Sequence, residues 1–181
     1  MGLWAAQTAV TLDGDFVECG VGRGFMSSAI MQLLNWNRLE RRFYLLDTFS
    51  GIAPKNASAT SDERNTSSVY ADSIEDVRQN FSEWPSAQII VGAVPGTFPR
   101  IDTKAIAYLH LDMNTSPPEV AAITALWERL TPGAPVLLDD YAYRGYGDQK
   151  LGIDKFAAER NVSVLSLPTG QGLIVKPADR N

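Results

Sequence analysis

Apolar residues along the chain follow two alternating rhythms. Short continuous apolar runs occur at Phe16 to Gly20, Phe43 to Asp47, Ala87 to Gly92, Ala105 to Asp112 and Pro135 to Asp140. Each has the length of a buried strand. Between the first two, Phe25, Met26, Ile30, Met31, Leu33 and Leu34 repeat at the spacing of a packed helix face, which predicts a helix from Phe25 to Leu34. Further helices are predicted over Asp72 to Phe81, with Asp72 or Ser73 as cap, over Glu119 to Leu130 behind Pro117 and Pro118, and over Gln149 to Arg160. Trp4 to Leu12 reads as a short helix packed on the sheet edge, and Val94 to Arg100, with Pro95 and Pro99, as a loop or one helical turn. Val162 to Leu167 and Leu173 to Lys176 read as the last two strands. Pro168-Thr169-Gly170-Gln171-Gly172 between them is too short for a crossover helix, so they must be antiparallel neighbours. Residues 48–71 are polar and without period, and are expected to form a lid-like loop.

The alternation implies an α/β fold with a mostly parallel sheet covered on both faces. The 181 residues suit one domain, 1–181, with 1–13 as a short helical lead-in. A net charge of −5 without any basic run argues against nucleic acid or an anionic membrane as partner. No stretch is apolar for the length of a membrane span, and no charged segment precedes the first strand as in a signal peptide. Cys19 is the only cysteine, which fits a reducing, cytoplasmic setting and a core residue rather than a nucleophile.

Ligands of such sheets bind outside the carboxyl ends of the strands. Four of the first five strands end in acids: Glu18 before Gly20, Gly22 and Gly24, then Asp47, then Asp112, then Asp139 and Asp140. Gly92 ends the remaining one. Carboxylates are poor strand residues, so their alignment at one edge points to a site. The glycines let a ligand approach the backbone, and the helix behind them offers unpaired N–H groups to an anion. Asp47, 27 residues after Gly20, stands near the offset of a ribose-binding acid; a helix cap is the alternative. Glu18 would accept from the ligand's ammonium or ribose, or pair with Arg23. Arg23, Gly24 and Thr48 complete the expected cofactor-binding set. His110, the only histidine, shares a strand face with Tyr108 and Asp112, and serves either as a base or as a buried polar residue. Asp112, Asp139 and Asp140 sit on adjacent strands and would repel one another unless protonated or bound to a cation; oxygen ligands suit Mg²⁺ or a similar ion. No Lys or Arg lies within 106–116 or 132–143, so no counter-charge is expected locally.

With its antiparallel last strand, this order resembles the Rossmann-like, seven-stranded class I S-adenosylmethionine-dependent methyltransferases. More narrowly, Gly14-Asp15-Phe16-Val17-Glu18-Cys19-Gly20-Val21, Tyr44-Leu45-Leu46-Asp47-Thr48-Phe49-Ser50-Gly51 and Leu137-Leu138-Asp139-Asp140-Tyr141 resemble macrocin O-methyltransferases of the TylF type. Gln149-Lys150 and the Pro168 to Gly172 segment add to the likeness. The resemblance implies S-adenosylmethionine as donor and transfer to a hydroxyl of a sugar or other small natural product. It also implies Mg²⁺ on Asp112, Asp139 and Asp140, with Asp112 or His110 in the catalytic role and a homo-oligomer left open. Asn114 stands where the family often has a second aspartate tied to base chemistry, and the lead-in before the first strand is short. A catechol-type methyltransferase and a non-catalytic S-adenosylmethionine-binding module are the alternatives. The Gly-x-Gly-x-Gly spacing and the terminal hairpin disfavour an NAD-dependent dehydrogenase.

Overall fold

The computed structural model describes residues 1–52 and 72–178. The chain runs α1 (Gly2–Ala9), β1 (Asp15–Cys19), α2 (Phe25–Leu33), β2 (Phe43–Asp47), α3 (Ile74–Asn80), β3 (Ala87–Val91), β4 (Ile106–Leu111), α4 (Ser116–Leu126), β5 (Pro135–Leu138), α5 (Gly147–Glu159), β6 (Leu165–Ser166) and β7 (Gly172–Val175). Most of the loop expected over residues 48–71 lies outside the described residues.

The sheet order is β3-β2-β1-β4-β5-β7-β6. Neighbours from β3 across to β5 are parallel, whereas β7 runs antiparallel to both β5 and β6. The class I methyltransferase fold expected from the sequence is therefore present. β4 lies at the centre and is buried at all six positions, as a strand covered on both faces requires. Val17, Cys19, Leu109, Leu111, Val136 and Leu138 pack one way, against α4 and α5. Phe16, Phe43, Leu45 and Tyr108 pack the other way, under α1, α2 and α3. There Phe16 sits at the middle of an aromatic cluster, 5.0 Å from the Trp36 ring and 5.1 Å from that of Tyr108.

Several boundaries differ from the sequence pattern. α1 does not pack on the sheet edge: it lies over α2, β4 and β5, where Ala5, Ala6 and Ala9 are small enough to meet the central strands closely. α4 begins at Ser116 rather than Glu119, because prolines fit a first turn whose N–H groups need no partner. A 3-10 turn, Trp127–Arg129, continues it. Val162 to Val164 lie outside β6, which pairs only through Leu165 and Ser166 at the open edge. Ser73, not Asp72, caps α3: its hydroxyl accepts from the N–H of Asp76 at 3.2 Å.

Candidate active site

Every parallel strand delivers its last residues to one end of the sheet, and a cavity of about 720 Å³ opens there. Its wall holds Glu18, Gly20, Gly22, Arg23, Asp47, Thr48 and Gly92 on one side and Asp112, Asp139 and Asp140 on the other. Two expected residues lie elsewhere. Gly24 is the N-cap of α2 at φ 81°, and a Cβ there would strike the Phe81 ring, so it serves packing. His110 lies behind the wall, 1% exposed.

The glycine turn is held by Asp47. Its Oδ2 accepts from the N–H groups of Val21 (2.7 Å) and Gly22 (2.8 Å), and its Oδ1 from that of Phe49 (2.8 Å). The carboxylate at the end of β2 thus shapes the turn as well as facing the cavity. Gly20, at φ 89°, rests directly on the carbonyl of Asp112. This contact couples the turn after β1 to the end of β4.

Glu18 does not pair with Arg23. Arg23 Nε donates to Asp72 Oδ1 at 2.9 Å, across the cavity rim. Glu18 is 2% exposed, and its Oε1 lies 2.8 Å from His110 Nδ1. His110 Nε2 lies 3.7 Å from Asp139 Oδ1, an ion-pair distance rather than a hydrogen bond. Burial alone would lower the imidazole pKa, but Asp139 and Glu18 outweigh it and raise it to about 10. An imidazole that holds its proton so firmly fits the reading of His110 as a buried polar residue better than that of a base. It is instead the counter-charge that the local sequence was expected to lack.

The acids respond as a group. Burial pushes Asp112 up to about 7; Asp139 and Asp140 add to this while His110 opposes it. Asp140 is also raised to about 7, by burial and by Asp139. His110 first, then Gln171, hold Asp139 below its usual range. Gln171 Nε2 donates to Asp139 Oδ1 at 2.7 Å. Asp140 Oδ2 is buried and has no hydrogen-bond partner. Ligand atoms of His110, Asp112 and Asp139 lie within 4.8 Å of one another; Asp140, expected as the third ligand, is outside that set although it lines the same wall. An orphaned carboxylate oxygen beside two further acids fits a divalent cation.

Three contributors had no role in the sequence reading. Glu119, buried in the first turn of α4, accepts from the N–H of Met113 at 3.2 Å; burial, then Asp140, push its carboxyl well above the usual range. An acid just behind the proline pair was its only sequence signal. Tyr146 donates to Asn114 Oδ1 at 3.3 Å. Asn114 itself sits at φ 58°, a conformation asparagine tolerates well. Gln171 was visible only as part of a hairpin motif. Cys19 is fully buried and its thiol is pushed up by burial, in keeping with a core role.

The family model for macrocin-O-methyltransferase (TylF) matches residues 5–165. The chain belongs to that family. A relative from Streptomyces olivaceus, named as an 8-demethyl-8-(2,3-dimethoxy-alpha-L-rhamnosyl)-tetracenomycin-C 4'-O-methyltransferase, is 32% identical over 139 residues, 71% of this chain and 53% of that protein. Among solved structures, the O-methyltransferase NovP superposes with a TM-score of 0.82 at 22% identity, covering 98% of this chain and 78% of that one. S-adenosylhomocysteine-bound PaMTH1, a methyltransferase of Podospora anserina, superposes with a TM-score of 0.64 at 14% identity, covering 98% and 78%. The chain spans about half the length of the curated relatives it matches.

Proposed function

We propose that this protein is an S-adenosylmethionine-dependent O-methyltransferase acting on a hydroxyl of a sugar or another small natural product, assisted by a divalent cation such as Mg²⁺. The observation that carries this reading is a cavity walled by the Asp47-held glycine turn on one side and three aspartates on the other. The donor belongs on the turn side, with Glu18, Thr48 and Gly92 around it. The acceptor belongs beside the aspartates. Names of relatives support the chemistry: one is a 4'-O-methyltransferase of a rhamnosyl-tetracenomycin and another a mycinamicin III 3''-O-methyltransferase.

The acceptor oxygen attacks the sulfonium methyl in line, S-adenosylhomocysteine leaves, and the hydroxyl proton must go to a base. Because the donor is already activated, the chain's task is positioning and proton removal. Without a cation, Asp112, raised to about 7, lies in the range where a carboxylate accepts a proton near neutral pH. Asp112, Asp139 and Asp140 would hold the cation, which when bound lowers the pKa of a hydroxyl it contacts. His110 keeps the acids from repelling one another in its absence.

Turnover of methyl-labelled S-adenosylmethionine against a panel of glycosides and phenols tests this. Transfer to a sugar hydroxyl that stops in EDTA and returns with Mg²⁺ is the expected result. Full activity in EDTA would remove the cation and leave Asp112 as a direct base. Transfer to phenols alone would favour a catechol-type enzyme. Asn114 supports a second reading, a module that binds the nucleoside without turnover, since an amide takes up no proton. Tight S-adenosylhomocysteine binding with no transfer to any acceptor would favour it.

A further inference from the structure

The turn Pro168-Thr169-Gly170-Gln171-Gly172 joins the last two strands, yet it reaches the acid cluster. It lies flush on the segment that follows Asp140. Ala142 N–H donates to the Gly170 carbonyl at 2.7 Å. A Cβ on Gly170 would come within 2.9 Å of the Tyr143 ring, and one on Gly172 within 2.7 Å of the Tyr141 ring. Only glycines permit that approach. From this fixed base Gln171 Nε2 donates to Asp139 Oδ1 at 2.7 Å, while Thr169 Oγ1 donates to Gln171 Oε1 at 3.0 Å. Each end of the amide therefore has a partner, and flipping it would lose both.

We propose that Gln171 is a positioning residue for Asp139, itself oriented by Thr169, so that Asp139 Oδ1 stays committed to the chain and Oδ2 is the oxygen offered to a divalent cation. The inference rests on the reading of Asp139 as a cation ligand. A carboxylate tethered through one oxygen by a charge-assisted bond keeps one orientation. Partners of this kind govern how well a ligand set holds its metal. The terminal hairpin is then part of the site, not only the closing edge of the sheet.

The test titrates Mn²⁺ into wild-type protein, Gln171→Met and Thr169→Val, followed by electron paramagnetic resonance. S-adenosylhomocysteine affinity and melting midpoint are measured on the same samples. Methionine keeps the length of glutamine and removes the donor. Gln171→Met should bind Mn²⁺ about tenfold to a hundredfold more weakly with S-adenosylhomocysteine affinity and melting unchanged. Thr169→Val should show a smaller loss in the same direction. Mn²⁺ affinity equal to wild type overturns the proposal, as does a loss matched by equal losses of S-adenosylhomocysteine affinity and melting temperature. Should Gln171→Met not fold, Thr169→Val decides alone by the same criteria. A wild-type protein that holds no Mn²⁺ removes the cation reading itself, and the role of Gln171 falls with it.

Discussion

The His110 ring sits between two carboxylates, with Nδ1 2.8 Å from Glu18 and Nε2 3.7 Å from Asp139. With its folded pKa raised from 6.5 to about 10, this group stabilises the fold fully below the unfolded value and loses that contribution as pH rises through about 10. Asp112 and Asp140, raised from 3.8 to about 7, act in the same direction: their protonated forms favour the fold, and that contribution is lost as pH rises through about 7. The cation-free protein should therefore melt progressively lower between about pH 5 and pH 9. Mg²⁺ should flatten the slope near neutrality, and His110→Gln should remove its alkaline part. A melting midpoint that rises over this interval would contradict the buried acid cluster. Asp47 makes the second residue-scale prediction. Its carboxylate holds two N–H groups of the glycine turn, each such bond to a charged group being worth about 1.5–3 kcal/mol. Asp47→Ala should weaken S-adenosylhomocysteine binding more than tenfold by calorimetry, an effect of about 1.4 kcal/mol or more. Unchanged affinity would show that neither the turn's shape nor a ribose contact depends on it.

At the scale of elements, the turn after β1 is the least tolerant joint. A Cβ on Gly20 would lie 1.8 Å from the Asp112 carbonyl oxygen, and its φ of 89° disfavours any other residue. Gly20→Ala combines overpacking with backbone strain, each costing about 1–3 kcal/mol, so a loss of about 3 kcal/mol or more is expected. Thermal melting should show it as a drop of about 6–12 °C. A variant that melts like wild type would mean that β4 can shift away from the turn without cost. This joint was readable from the sequence, because a glycine triplet behind a buried strand has few other uses. The five parallel strands and the closing hairpin were readable for a similar reason: runs buried on both faces leave continuous apolar segments. Partnerships across the sheet were not. Nothing local to Glu18 names His110, 92 residues later, and no periodicity links Gln171 with Asp139. The seat of α1 over β4 and β5 was equally hidden, since its alanines fit an edge or a centre alike. Edges of elements moved where proline chemistry or an open sheet edge decided them, as at Ser116 and Leu165.

For the whole molecule, the two walls of the cavity belong to different stretches of chain. β1 to β3 with the Asp47 clamp form one side, and the ends of β4 and β5 form the other, with the hairpin's Gln171 behind Asp139. β5 takes its second neighbour only from β7. A chain ending at Leu167 should accordingly lose Gln171 and expose β5 as an unpaired edge. Such a protein should melt well below the full chain and associate in solution, which calorimetry and light scattering would record; a monomer of undiminished stability would show the hairpin to be dispensable. The order of the strands also sets a timetable for the nascent chain. As synthesis proceeds from the N-terminus, β1 to β3 are made before the acids of the other wall. Asp112, Asp139 and Asp140 then arrive before Gln171, so the cluster emerges with its negative charges only partly offset and receives this tether only once the closing hairpin has been made. The growing polypeptide passes through an interval in which this acidic sheet edge still lacks one of its hydrogen-bond partners.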